Sequence, residues 1–183
     1  YETIMYEAYA PGSVAMLIEC LTDNRNRAVS DVRVAVTRNG ATMADGGSVQ
    51  RLFERKGVVT VSKTFEVTEG RKTTTHEVDE DQLMEATLEA EPEDIVDLGE
   101  AFEVICDPNA IVDVRKAIQA ADIDYDSAEV EFRAGFAQPV ELEDARKIAK
   151  ITELLEDLDD VQNVYTNADI TPELAAALEE DED

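Results

Sequence analysis

Residues 13–20 (SVAMLIEC) form a nearly unbroken apolar run. A strand of that composition has no polar face to turn toward water. It belongs in the middle of a sheet, with cover on both sides. The rest of the chain must therefore supply it with neighbouring strands and packed helices. Thr22 or Asp23 can cap a helix immediately afterwards. That helix is expected over about 25–38, with Val29, Val32 and Val36 on one face, and Asn39-Gly40 ends it. A loop with Gly46-Gly47 follows. Residues 48–54 have the pattern of a second strand, Arg55-Lys56-Gly57 of a hairpin turn, and 58–65 of a third strand.

This strand-helix-strand-strand order then breaks off. Residues 66–76 (EVTEGRKTTTH) are polar and threonine-rich and suit a linker or an exposed strand. Residues 79–90 suit a short acidic helix with Leu83, Met84 and Leu88 inward. Strands are expected around 95–105 and at 128–132. Between them, Asp107-Pro108 opens a helix with Ile111, Val114, Ile118 and Ala121 on its apolar face. At Glu141 a strong helix begins, with Leu142, Ala145, Ile148, Ala149, Ile151, Leu155 and Leu158 inward, and a strand at 161–167 follows. A helix and a strand are what the first segment lacks to complete a split βαβ pattern. The expected fold is therefore α+β: a discontinuous ferredoxin-like domain, 1–68 plus 138–183, with an inserted acidic α/β domain over 69–137. The helix at 142–158 should pack beside the helix at 25–38, and the strand at 161–167 should share a sheet with 13–20. The tail, ITPELAAALEEDED, suits one or two helical turns before fraying.

Charge is distributed unevenly. Residues 1–76 hold 10 Lys and Arg against 9 Asp and Glu, whereas 77–183 hold 6 against 34, within a chain of net charge −27. Phosphate binding depends on Lys and Arg displacing counterions, so it is expected only from the first part. The acidic part can serve solubility, or meet a basic protein partner. Aromatic content is 5% with no Trp, so stacking platforms for bases are scarce. Cys20 and Cys106 lie in apolar runs and are expected to be buried, reduced thiols, which suits a cytoplasmic location. No apolar run reaches 18 residues, so no membrane contact is expected. The chain opens without Met, directly into structured-looking sequence, which suggests a part preceding Tyr1.

Three segments carry a family resemblance: YEAYAPGSVAMLIECLTDNRNRAVSDVR, GSVQRLFERKGVV and LEDLDDVQNVYTNADI. They resemble the YebC-like family, which includes the translational activator of cytochrome c oxidase I. The resemblance spans nearly the whole chain and is weakest at 66–100 and 133–145. It implies a second domain interrupted by a third, and a basic, helical N-terminal domain whose Gly-His-Ser-Lys-Trp opening has no counterpart here. It also implies a regulator of transcription or translation that binds DNA, RNA or the ribosome, mostly through that N-terminal domain, and no catalytic residue. The positions matching its most recognisable motif are Asn24, Arg25, Asn26 and Arg27, with Arg55, Lys56 and Gly57.

The candidate nucleic-acid-binding residues are accordingly Arg25, Arg27, Arg33, Arg38, Arg51, Arg55 and Lys56. On a helical wheel Arg27 and Arg38 fall opposite the valine face, with Arg33 at its edge. At ~1.5 Å per residue they stand about 16 Å apart, a span that can touch two phosphates. The alternative is a solvated face with surface pairs such as Asp31 with Arg27 or Arg33. Arg51 and Arg55 share strand parity with Phe53 between them, which suits either a nucleotide-docking face or a core Phe53 flanked by arginines. Neither a catalytic site nor a cofactor is expected. His76 is the single histidine, with no Cys near it, and the acidic stretch 77–100 lacks the spacing of a calcium loop. The competing function is an acidic protein-interaction adaptor with no nucleic-acid role. A DNA-binding regulator finds no helix-turn-helix signal here.

Overall fold

The computed structural model describes residues 1–180. In chain order the strands and helices are β1 (Glu2–Ala10), β2 (Val14–Thr22), α1 (Arg25–Thr37), β3 (Thr42–Met43), β4 (Phe53–Ser62), β5 (Thr64–Glu69), β6 (Lys72–Glu77), α2 (Glu80–Thr87), β7 (Asp94–Asp97), β8 (Ala101–Cys106), α3 (Ile111–Ala120), β9 (Ser127–Ala134), β10 (Gln138–Pro139), α4 (Leu142–Glu156), β11 (Val161–Thr166), β12 (Ala168–Asp169) and α5 (Pro172–Glu180). Short 3₁₀ turns at Gln50–Leu52, Leu88–Ala90 and Pro108–Ala110 precede β4, follow α2 and precede α3. The fold is α+β. The chain divides into two compact units, Tyr1–Glu54 with Arg133–Asp183, and Arg55–Phe132. Residues 55–68, expected in the first domain, group with the second unit. The expected fraying at 181–183 lies outside the described residues.

The first unit is built on a four-stranded antiparallel sheet of order β11-β2-β1-β3. β1 and β2 form a long hairpin, from Glu2 opposite Thr22 to Ala10 opposite Val14. Its three-residue turn, Pro11-Gly12-Ser13, has Gly12 and Ser13 at positive φ. Val14 to Ile18 are all buried, as the apolar run requires. One face of the sheet carries Ala8, Ala10, Val14, Met16, Ile18 and Cys20. Val32 and Val36 of α1 pack onto it together with Ile148, Ile151 and Leu155 of α4. The two helices lie against each other, and β11 pairs with β2. Of the residues expected inward on α4, Ala149 is exposed. α5 packs against α4.

Three expectations for this unit require correction. Residues 2–10 form an unanticipated strand, and it is β1 that lies between β2 and β3. The expected third strand does not occupy that place, because β4 pairs with β8 in the other unit's sheet. Residues 48–54 do not form a strand of this sheet, and Arg55-Lys56-Gly57 is not a turn. The chain passes through the 3₁₀ turn at 50–52 and then runs straight through β4. The physical reason is Glu7, described below, which takes the amides of Gly47, Val49 and Gln50 away from any ladder.

The second unit has a sheet of order β7-β8-β4-β9 and a separate hairpin, β5-β6, whose β6 residues are all exposed. Its core gathers Val59, Val61, Leu83, Phe102, Val104, Cys106, Val114 and Ile118. α2 opens with a reciprocal cap: the Gln82 N–H donates to Asp79 Oδ1 and the Asp79 N–H to Gln82 Oε1. Of its expected inward residues only Leu83 is buried. Met84 and Leu88 point outward, because α2 is only two turns long and tightens into 3₁₀ geometry at Leu88. Ala121, expected on the inner face of α3, is exposed beyond that helix's end.

Both cysteines are buried and free, and burial pushes the Cys20 thiol up to about 11. The Cys106 thiol is raised too, by the same cause, and it donates to the Gly57 carbonyl. Among the described residues no helix is long and apolar enough to cross a membrane.

Gly57 is required by close approach rather than by a turn. A Cβ there would stand 2.8 Å from Cys106 Sγ, 3.0 Å from Ile111 Cβ and 3.3 Å from the Asp107 carbonyl oxygen. Gly57→Ala should therefore destabilise the second unit by about 1–3 kcal/mol, the usual range for overpacking a tight core. Urea unfolding of the wild type and variant measures it, and an unchanged midpoint would contradict the packing.

Candidate nucleic-acid interface

Three of the seven candidate cations, Arg25, Arg27 and Arg33, ride on α1, and Arg38 is its C-cap. Asn24 caps it, rather than Thr22 or Asp23, with extended backbone and Oδ1 accepting from the Arg27 N–H at 3.1 Å. Thr22 instead accepts from the Asn24 N–H and so shapes the entry to the cap. Ala28, Val32, Ala35 and Val36 are buried on the sheet side, which leaves Arg25, Arg27, Arg33 and Arg38 exposed.

Arg25 and Arg27 stand in the first turn, where the helix dipole already presents positive charge. Carboxylates from elsewhere answer both. Arg25 grips Glu2 with two bonds, Nε to Oε1 at 2.6 Å and Nη2 to Oε2 at 3.2 Å. Arg27 forks onto Asp160, Nε to Oδ2 at 3.1 Å and Nη2 to Oδ1 at 3.0 Å, and Nη2 also reaches Asp23 at 2.9 Å. The Asp160 side chain keeps only 12% of its surface exposed and also accepts from the Thr22 hydroxyl. The Arg27 guanidinium holds the Asp160 carboxyl below its ordinary value. Arg27 thus clamps α1 to the start of β11 through Asp160 and is paired with Asp23 as well. Its partners are not the Asp31 of the sequence expectation.

Arg33 and Arg38 differ. Among the described residues neither forms an ion pair. Arg38 lies on the same outer stripe as Asp31 and Val34, the latter 45% exposed. Arg51 lies in the 3₁₀ turn, where its Nε donates to the Ser48 carbonyl. It does not share a strand face with Arg55, because the two-residue period starts only at Phe53. Phe53 is buried, so it offers no ring to a base. Arg55 and Lys56 belong to the second unit. Arg55 is exposed, and Lys56 bonds Glu93 at 2.7 Å.

Some residues in the first unit escaped sequence reasoning. α4 carries Arg146, Lys147 and Lys150 on its outer side, despite lying in the acidic part of the chain. Arg146 and Lys150 line an open cleft with Ala149, Thr152, Ile170 and Leu178. The spacing RKIAK was a readable signal, overshadowed by the regional net charge. Among the described residues no group of three or more His, Cys, Asp or Glu side chains is arranged to hold a metal ion.

Glu7 anchors the loop that leads to Arg51. Its residue is 5% exposed, yet its carboxylate is fully engaged. Gly47 N–H donates to Oε2 at 2.6 Å, and Val49 and Gln50 N–H donate to Oε1 at 2.7 and 2.8 Å. Burial alone would raise this carboxyl, but the three amides outweigh it and hold it below its ordinary value of 4.5. Its stabilising effect is therefore complete above pH 4.5 and is lost as the pH falls through the lower native value. Glu7→Gln leaves at least one amide facing an NH₂ group and should cost about 1–3 kcal/mol at pH 7. The deficit should shrink as the wild type is acidified, and a pH series of thermal melts measures it. A deficit independent of pH would show that the carboxylate charge is not what holds the loop.

The sequence profile described as TACO1/YebC second and third domain matches residues 1–168. A probable transcriptional regulatory protein of Cutibacterium acnes is 77% identical over 182 residues, covering the whole chain and 69% of that protein. One of Mycobacterium tuberculosis is 55% identical over 99% of the chain and 67% of its own length. The crystal structure of a conserved hypothetical protein from Aquifex aeolicus superposes with a TM-score of 0.77 at 32% identity. That match covers 92% of this chain and 65% of the other.

Proposed function

The chain belongs to the family of the TACO1/YebC second and third domain, and on that premise we propose that it is a non-enzymatic, cytoplasmic regulator of gene expression that docks on nucleic acid or the ribosome. The curated relatives are named probable transcriptional regulatory proteins, and the chain spans about two thirds of their length. The observation that carries the reading is the pair Arg33 and Arg38. Both are exposed on one helix and have no carboxylate partner among the described residues, while the neighbouring Arg25 and Arg27 are each held by acids. Unpaired guanidinium groups exchange solvent counterions for phosphate, whereas paired ones must first break an internal bond. Arg51 extends the surface within the same unit. Arg55 is a weaker member, placed in a unit with 7 Lys and Arg against 21 Asp and Glu. That imbalance favours the second reading, an acidic adaptor with no nucleic-acid role.

The test is co-sedimentation with ribosomes, together with titrations of single-stranded RNA and duplex DNA over a salt series. Arg33→Glu with Arg38→Glu should weaken binding. The salt slope should fall by about 0.7 per lost contact on single-stranded RNA and about 0.9 on duplex. Arg27→Glu serves as a contrast, since it sets a carboxylate against Asp160 and Asp23 and should lower the melting temperature. No binding to any of the three targets would leave the adaptor reading. Binding unchanged in the Arg33/Arg38 variant would remove this surface.

A further inference from the structure

α2 and the 3₁₀ turn after it show water two large apolar side chains. Met84 is 53% exposed and Leu88 72%. They are four residues apart and so lie one above the other on one side of the helical stretch. At Glu91 the chain reverses in the left-handed region, φ 51°, which non-glycine residues adopt rarely. The reversal brings Pro92 and Ile95 to the same cleft, an open space of about 460 Å³ lined also by Glu80, Thr87, Glu91, Glu93 and Asp94. Its lining joins the apolar Met84, Leu88, Pro92 and Ile95 with four acids. No Lys, Arg or His lines it among the described residues. Glu93 is answered by Lys56, but Glu80, Glu91 and Asp94 form no ion pair among the described residues.

We infer that this cleft is the docking site for a basic amphipathic segment of a partner protein. Its apolar side chain settles over Met84 and Leu88, and its flanking Lys or Arg meet Glu80, Glu91 and Asp94. Charge selects this occupant over the others. Nucleic acid would bring phosphate against three unpaired carboxylates. A second copy of this chain would bring a net charge of −27. The unbranched thioether of Met84 in its lining can adapt to anchors of different shape. Rim charges accelerate encounter and reject acidic partners, while the apolar anchor holds the complex.

The test uses the full chain and a fluorescein-labelled 14-residue peptide with lysine on one helical face and leucine on the other. Controls are the same composition in scrambled order and a lysine-serine peptide without leucine. Anisotropy should show the amphipathic peptide binding at least about tenfold tighter than either control, the effect expected of one good anchor. Methyl NMR of the wild type should show the Met84 signal shifting on titration. Met84→Ser with Leu88→Ser should weaken binding about tenfold or more, since it removes the apolar anchor site. Glu80→Gln with Asp94→Asn should weaken it and flatten its salt dependence. Equal binding of the scrambled peptide, an unmoved Met84 signal or unchanged binding in the serine pair would overturn the inference. So would a wild-type dimer in sedimentation that the serine pair abolishes, since a second copy would then cover the cleft.

Discussion

Val14 to Ile18 of β2 are buried on both faces, so every main-chain group of that strand must find a partner within the protein. β1 satisfies one edge through a hairpin in continuous register from Ala10 opposite Val14 to Glu2 opposite Thr22. The other edge waits for β11, more than 130 residues later in the chain. The first unit therefore cannot be completed before the chain has passed through the second and returned. Asn167 seals the junction from just beyond β11: its side-chain oxygen accepts from the Ala15 N–H, and its own N–H donates to the Ala15 carbonyl. Removing that return strand would strip hydrogen bonds from the most buried strand in the unit, a loss each such group feels at full desolvation cost.

Electrostatics in the first unit follow from the same architecture. The β1-β2 hairpin and the turn before β11 bring Glu2, Asp23 and Asp160 to the N-terminal end of α1. Two arginines there would otherwise face the positive end of a helix dipole. The acids hold those arginines in place, whereas the later ones, Arg33 and Arg38, form no ion pair among the described residues. Glu7 works by the same chemistry with a different donor set. Three amides take the place of a cation, and the loop they belong to is fixed before the chain enters β4.

The second unit has the opposite character. Its cations are few, its acids are spread over the exposed sides of its helices and strands, and two of its exposed large apolar side chains, Met84 and Leu88, line one cleft. Solubility alone would not place Met84 and Leu88 beside Pro92 and Ile95 within an acidic rim. On the two proposals above, the arginines without an ion pair among the described residues of the first unit would take phosphate and the acid-lined cleft of the second a basic segment.

The amino-acid sequence determined by itself the elements whose signals are local. The apolar run of β2, the valine face of α1 and the 3.6-residue pattern of α4 each state their own structure, because one buried face repeats at a fixed spacing. The interrupted order also announced that α4 and β11 return to the first sheet. Tertiary structure decided what depends on partners distant in the chain. β1 was illegible because a buried charge, Glu7, sits in the middle of its pattern, and only the amides of 47, 49 and 50 make that burial tolerable. Those same amides, once taken, are denied to a ladder at 49 and 50, and the expected third strand pairs with β8 in the other sheet. Gly57 carries the composition of a turn, yet Cys106 and Ile111 make it a packing glycine. Arg27 and Arg38 look equivalent on a helical wheel. Asp160, 133 residues away, makes one a clamp, while the other has no ion pair among the described residues, because a carboxylate's reach is a matter of space and not of sequence.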